Sequence, residues 1–122
     1  MDNDDRESLY STLDLFEGVY PRTGIPIVFD YHHHGFCTGG LSEKDALEIA
    51  ISTWDDIKPV VHYSESRAEE KKDSKIRAHA HSDFVNGPIE DYGYDLDVMI
   101  EAKAKELALF GLRKNDSERM AA

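Results

Sequence analysis

The sequence contains a single cysteine, few basic residues and no long apolar run. With only Cys37, an intramolecular disulfide is excluded and a reducing compartment fits, so we expect a cytoplasmic protein. No stretch is apolar enough to cross a bilayer, and the acidic start MDNDDRES is unlike a signal peptide. Lys and Arg number 14 against 25 Asp and Glu, a formal net charge of −11. This balance argues against a general nucleic-acid-binding surface, because phosphate contacts need basic side chains.

The residue pattern predicts elements that alternate between strand and helix. A chain of 122 residues is long enough for one domain with a modest core. In chain order, the predictions are a helix over Asp5–Phe16, a strand over Ile25–Asp30, a helix from an N-cap at Ser42 to about Trp54, a strand over Pro59–Tyr63, a charged loop over Ser64–Ala78, a strand over Leu96–Ile100 and a helix over Ala102–Arg113 that follows Glu101 without a gap. The alternation predicts an α/β fold with a parallel sheet and helices outside it. A closed (β/α)₈ barrel takes about 250 residues, so we predict a partial TIM barrel of three to four βα units.

The segment Gly24–Gly40, GIPIVFDYHHHGFCTGG, carries the clearest chemical signal. Its apolar run ends abruptly in Asp30, three histidines follow, and all six histidines of the chain lie between His32 and His81. Each predicted strand ends in a possible metal ligand, and the carboxyl ends of parallel strands converge on one mouth of a barrel. The candidate ligands are Asp30, His33, His62 and Glu101. This sulfur-free set suits Mn²⁺, Zn²⁺ or Mg²⁺.

Purely structural interpretations of the same residues stay open. Asp30 could simply cap the following loop, with the histidines solvated. Glu101 could be a carboxylate at a helix N-terminus, where the helix dipole favours it. We interpret His32 and His34 as loop residues rather than ligands, and Trp54 as core packing where its helix meets the sheet.

Several short motifs, in a fixed order, resemble a known nuclease family. They are MDNDD at the start, IPIVFDYHHH, the dipeptide Thr53-Trp54, VHYSES, HSDFV and DVMIEAKAKELAL. Together they resemble the C-terminal half of the UV damage endonucleases, and the resemblance runs from about Asp2 to Leu112. EAKAKELAL directly after an apolar strand is the most specific of these motifs.

The resemblance implies a fold, a chemistry and a set of site residues. The family consists of (β/α)₈-barrel repair nucleases that use metal ions, often manganese, to cut double-stranded DNA immediately 5′ of pyrimidine photoproducts. The negative net charge does not exclude this, because bound cations offset the carboxylates that hold them. By resemblance, the implied metal ligands are Asp2, Asp30, His33, His62 and Glu101, and the implied catalytic residues are Glu101 and His81, the latter placed near phosphate.

The chain departs from the family pattern at two positions and in its extent. Asp2 takes the place of the glutamate in the family's ENDD motif, and Val60 replaces a lysine two residues before the HYS histidine. Residues 1–122 match a C-terminal half, so we expect a truncated form, a split subunit or part of a longer product. Alone, it should be partly unfolded or self-associated, or need a separate N-terminal half. The alternatives are a catalytically inactive remnant and another barrel metalloenzyme, such as a sugar isomerase-like protein.

Overall fold

A computed structural model describes residues 1, 10–66 and 81–121, with side chains up to residue 117. Most of the predicted charged loop, Ser64–Ala78, lies outside the described residues. The described elements are α1 (Thr12–Gly18), α2 (Tyr20–Thr23), β1 (Phe29–Asp30), α3 (Tyr31–His34), α4 (Glu43–Ser52), β2 (Val60–Tyr63), β3 (Asp97–Ile100) and α5 (Glu106–Ala121). None of these helices combines the length and apolar character that a bilayer crossing requires.

The three strands form one sheet in the order β1-β2-β3. β1 and β2 run parallel, with Asp30 opposite His62 in the register. At β3, the amide of Asp97 donates to the carbonyl of Pro59 at 2.9 Å, and the amide of Glu101 donates to that of Tyr63 at 2.8 Å. Both partners advance by four residues in the same direction, so β3 is also parallel. The α/β class and the parallel sheet predicted from the alternation are therefore confirmed.

One compact unit contains residues 1–62 and 91–99. Within it, α1 packs against α2 and α4, and α4 packs against β1. The buried side chains of its core are Leu15, Ile27, Phe29, Tyr31, Ala46, Leu47, Ala50 and Val61. Apolar residues that are removed from water in this way supply most of the stabilisation that holds a small domain together.

The residues at the end of α4 hold the chain that leads into β1. The hydroxyl of Thr53 accepts from the amide of Ile27 at 2.8 Å, and the indole N–H of Trp54 donates to the carbonyl of Ile27 at 2.7 Å. Ile27 is fully buried, so these bonds satisfy backbone groups that water cannot reach. Trp54 is half-buried and lies where its helix meets the sheet, as predicted, and it also contributes a specific hydrogen bond.

The predicted N-cap of α4 is present. The hydroxyl of Ser42 accepts a hydrogen bond from the amide of Asp45 at 3.1 Å, and the helix spans Glu43–Ser52. We expect Ser42→Ala to lower the free energy of unfolding by about 1 kcal/mol, because a first-turn amide loses its acceptor. Urea denaturation measures this. The control is Ser52→Ala at the other end of the helix, expected to stay within about 0.5 kcal/mol. Equal losses in both variants would contradict a role for the cap.

Two predicted element boundaries in this unit are wrong. Helix α1 begins at Thr12, where Ser11 forms a capping box with Asp14. The predicted helix over Asp5–Phe16 is therefore wrong at residues 10 and 11, and its residues 5–9 lie outside the described residues. The first strand is Phe29–Asp30 rather than Ile25–Asp30. Its predicted first half does not pair with β2, and Ile25 is half exposed.

The other unit contains residues 63–90 and 100–122. Its buried apolar side chains include Val85, Ala108 and Leu112, the last two being one turn apart on α5. The last helix begins at Glu106 rather than Ala102, so the prediction of a helix directly after Glu101 is wrong. The helix starts later because the amides of Lys103 and Ala104 donate to the carbonyls of residues 82 and 83 instead, both at 2.9 Å. Lys105 then has a left-handed φ of 53°, which a helix does not accommodate.

β3 is more exposed than its apolar sequence predicts. Three of its four residues are exposed, including Met99 at 55%. On α5, Leu107 and Phe110 are also exposed, at 60% and 58%. The prediction that the isolated chain self-associates or is partly unfolded stays a prediction, which sedimentation of the purified protein would measure.

Candidate metal centre

Asp30 lies at the junction of β1 and α3 and is fully buried. Its Oδ1 accepts from the backbone amide of His33 at 3.0 Å, which caps the four-residue helix α3. Its Oδ2 lies 3.1 Å from Nδ1 of the same histidine. The structure thus shows the capping role of Asp30 that the sequence left open, and the cap fixes the direction in which the carboxylate points.

The carboxylate of Asp30 is held in its charged form. Burial works to raise its pKa, but hydrogen bonds from the side chain and backbone of His33, with attraction from His33 and His62, outweigh it and lower the pKa below 3.8. A cation would therefore meet a ligand that is already deprotonated at neutral pH.

His62 is the next residue of the site and belongs to β2. It lies opposite Asp30 in the parallel register and is half-buried. Adjacent strands lie about 4.8 Å apart, which places imidazole and carboxylate within reach of a common ion. Val60, two residues before His62, is the first residue of β2. The pattern of the family that the chain resembles has a lysine at this position.

Glu101 follows the last residue of β3. Its amide is tied to the carbonyl of Tyr63, and its side chain is 30% exposed. Nε2 of His81 lies 3.9 Å from Oε2 of Glu101. His81 itself forms an antiparallel bridge with Ser66. The two residues with implied catalytic roles are therefore neighbours.

Three ligand atoms converge at the carboxyl ends of the three strands. Asp30, His62 and Glu101 each offer one atom, and these atoms all lie within 4.8 Å of one another. Two carboxylates and one imidazole match the preferences of Mn²⁺, Zn²⁺ and Mg²⁺, and the two negative charges offset those of a divalent ion. The residues therefore fit the divalent metal that the family resemblance implies.

The other predicted ligands have different places. His33 is not one of the three converging residues; it is buried and contacts Asp30 directly. Asp2 lies outside the described residues. His32 and His34 are not in a loop: both belong to α3, and the ring centroid of His34 lies 5.3 Å from that of buried Phe29. Packing against the strand explains this difference.

Buried His34 makes the fold sensitive to acid. Burial lowers its pKa below 6.5, against the opposing effects of Glu43 and a hydrogen bond to the backbone of Leu41. The unfolded chain therefore takes up this proton first, so stability is lost as the pH falls from about 6.5 through the lower folded-state pKa. We expect the free energy of unfolding of His34→Leu to fall less steeply than that of the wild type between pH 7 and pH 5. Urea denaturation at several pH values measures both slopes, and equal slopes would contradict the prediction.

Glu65 is a further residue of this region that the sequence motifs do not single out. Its carboxylate accepts hydrogen bonds from the phenol of Tyr63 and from the amides of Asn86 and Gly87. Its position three residues after His62 was a sign that it lies near the site. Glu65 also falls within the charged segment Ser64–Ala78, however, which predicts a loop.

Comparisons with known proteins show the family to which the chain belongs. The family described as UV-endonuclease UvdE matches residues 1–121. A UV DNA damage endonuclease of Bacillus cereus (strain B4264) is 35% identical over 92% of this chain, and one of Bacillus velezensis is 38% identical over 92%. The chain spans 36% of the length of either relative. A solved structure described as SacUVDE is 28% identical with a TM-score of 0.74, over 96% of this chain and 38% of that one. The chain belongs to the UV-endonuclease UvdE family.

Proposed function

We propose that this chain provides the metal-binding strand ends of a DNA repair endonuclease that incises double-stranded DNA 5′ of ultraviolet photoproducts. The observation that carries the proposal is the convergence of Asp30, His62 and Glu101 within 4.8 Å at the ends of three parallel strands. Family membership supports the choice of a DNA substrate. By family resemblance we assign Mn²⁺ as the metal, and the arrangement of strands fits part of a TIM barrel.

Each residue has a distinct task in this proposal. Asp30, His62 and Glu101 would hold the divalent ion, which when bound would supply positive charge for the scissile phosphate and the departing oxygen. His33 fixes the orientation of the Asp30 carboxylate through its backbone and side chain. His81 lies 3.9 Å from Glu101, and by family resemblance we assign it the contact with a phosphate oxygen. We include Asp2 as a further ligand by resemblance alone.

A second candidate is a catalytically inactive remnant or a subunit that needs a separate N-terminal half. The specific observation in its favour is Val60, because its aliphatic side chain cannot coordinate a metal as the family lysine can when carboxylated. Both forms of this candidate retain the described metal-binding residues, but neither cuts DNA without another polypeptide, and the remnant does not cut at all.

Nicking of ultraviolet-irradiated supercoiled plasmid tests the proposal. The purified chain is incubated with Mn²⁺, with unirradiated plasmid as the substrate control and a chelator as the metal control. Damage-dependent nicks that disappear with chelator are the expected result. If they appear only when a separately produced N-terminal half of a relative is added, the chain is a subunit that needs such a half. If neither preparation nicks irradiated plasmid, the proposed activity is wrong and the chain is an inactive remnant.

A further inference from the structure

The carboxylate of Glu65 binds three hydrogen-bond donors within its unit. Oε1 accepts from the amide of Asn86 at 2.9 Å. Oε2 accepts from the amide of Gly87 at 2.9 Å and from the phenol of Tyr63 at 2.7 Å. Hydrogen bonds to an ionised carboxylate are about twice as strong as those between neutral groups. One side chain thus links the end of β2 to the backbone of residues 86 and 87.

The backbone around Glu65 holds the other end of the same segment. The carbonyl of Glu65 accepts from the amide of Ser82 at 2.8 Å, and Ser66 forms an antiparallel bridge with His81. The segment from residue 81 to residue 87 is therefore tied at both ends to Glu65 and its immediate neighbour. His81 is its first residue.

The same segment also anchors the chain that leaves Glu101. The carbonyl of Ser82 accepts from the amide of Lys103, and that of Asp83 accepts from the amide of Ala104, both at 2.9 Å. The 81–87 segment thus carries His81 at its first residue and is bonded to the chain two residues beyond Glu101. Nε2 of His81 lies 3.9 Å from Oε2 of Glu101, and a displacement of the segment would change this separation.

We propose that Glu65 is a positioning residue whose carboxylate holds the 81–87 segment so that His81 stays beside Glu101. The proposal rests on the proposed function, because it assigns Glu65 to the same site. Both oxygens of the Glu65 carboxylate are needed to accept the hydrogen bonds of the three donors. The amide nitrogen of glutamine cannot accept a hydrogen bond, so Glu65→Gln leaves the donors on one side without their acceptor.

NMR of Glu65→Gln tests the positioning without any need for activity. We expect faster amide hydrogen exchange at Ser82, Asn86 and Gly87, and a weaker nuclear Overhauser effect between the His81 ring and the Glu101 side chain. Exchange within α4 should be unchanged, which separates local release from general destabilisation. The control is Glu106→Gln, the same change at an exposed carboxylate on α5. Wild-type exchange and an unchanged Overhauser effect in Glu65→Gln would overturn the proposal.

A double-mutant cycle with His81 tests the consequence for incision. We expect Glu65→Gln to lower kcat by about tenfold with little change in KM, and to have less than about a twofold effect in the His81→Ala background. A tenfold loss of kcat from Glu65→Gln in both the wild-type and the His81→Ala backgrounds would overturn positioning through His81. If the wild type shows no damage-dependent incision, the proposed function fails, while the NMR result still decides the role of Glu65.

Discussion

Replacement of Glu101 by glutamine is expected to lower damage-dependent incision by about 100-fold or more. The side chain keeps its size but loses the negative charge that faces Asp30 and His62 at the point of convergence. Among the described ligands, a divalent ion would then meet one carboxylate instead of two. The measurement is the rate of nicking of irradiated plasmid at an Mn²⁺ concentration that just saturates the wild type.

The fold should survive this change. Glu101 is partly exposed, and its backbone amide, which pairs with Tyr63, is unaffected by a change in the side chain. Glu106→Gln on α5 is the matched control and should incise at the wild-type rate. If Glu101→Gln cut as fast as this control, Glu101 would have no place in the site.

Replacement of Asp30 should separate metal binding from stability. Asp30→Asn retains an oxygen that accepts from the amide of His33, so α3 keeps its cap, but the charge is lost. We expect Mn²⁺ affinity to fall by about 100-fold with a small change in stability. Asp30→Ala also loses the cap and the contact with the His33 ring, so its free energy of unfolding should fall by about 2 kcal/mol as well.

Isothermal calorimetry and urea denaturation measure the two effects. Asp45→Asn, the same substitution at an exposed carboxylate in the first turn of α4, is the control and should change neither quantity much. Wild-type Mn²⁺ affinity in Asp30→Asn would show that the buried carboxylate is a helix cap and nothing more.

The features that local sequence signals determine were predictable. The helix after Ser42 has its cap, its acidic first turn and its apolar face in the sequence, and the structure places it within two residues of the predicted end. The predicted strands are apolar runs with a possible ligand close to the carboxyl end of each: Asp30 is the last residue of β1, His62 is the third of the four residues of β2, and Glu101 directly follows β3. Their convergence could be expected because parallel strands bring their carboxyl ends to one edge of a sheet.

The features that depend on tertiary contacts were not predictable. The helical pattern of EAKAKELAL gives no sign that the amides of Lys103 and Ala104 bind residues 82 and 83, which delays the helix to Glu106. Burial of His34 depends on packing against Phe29, which its neighbours in the sequence do not reveal. The hydrogen bonds of Glu65 reach residues 86 and 87. No periodicity or motif encodes a pairing over that sequence distance.

A titration of the purified chain with Mn²⁺, followed by the electron paramagnetic resonance signal of the free ion, tests the central claim most directly. It needs no DNA and no activity. The account predicts saturable binding that weakens by about 100-fold in Asp30→Asn and Glu101→Gln and is unchanged in Asp45→Asn. Absence of saturable binding by the wild type, or equal affinity in all four proteins, would contradict a metal centre at these strand ends.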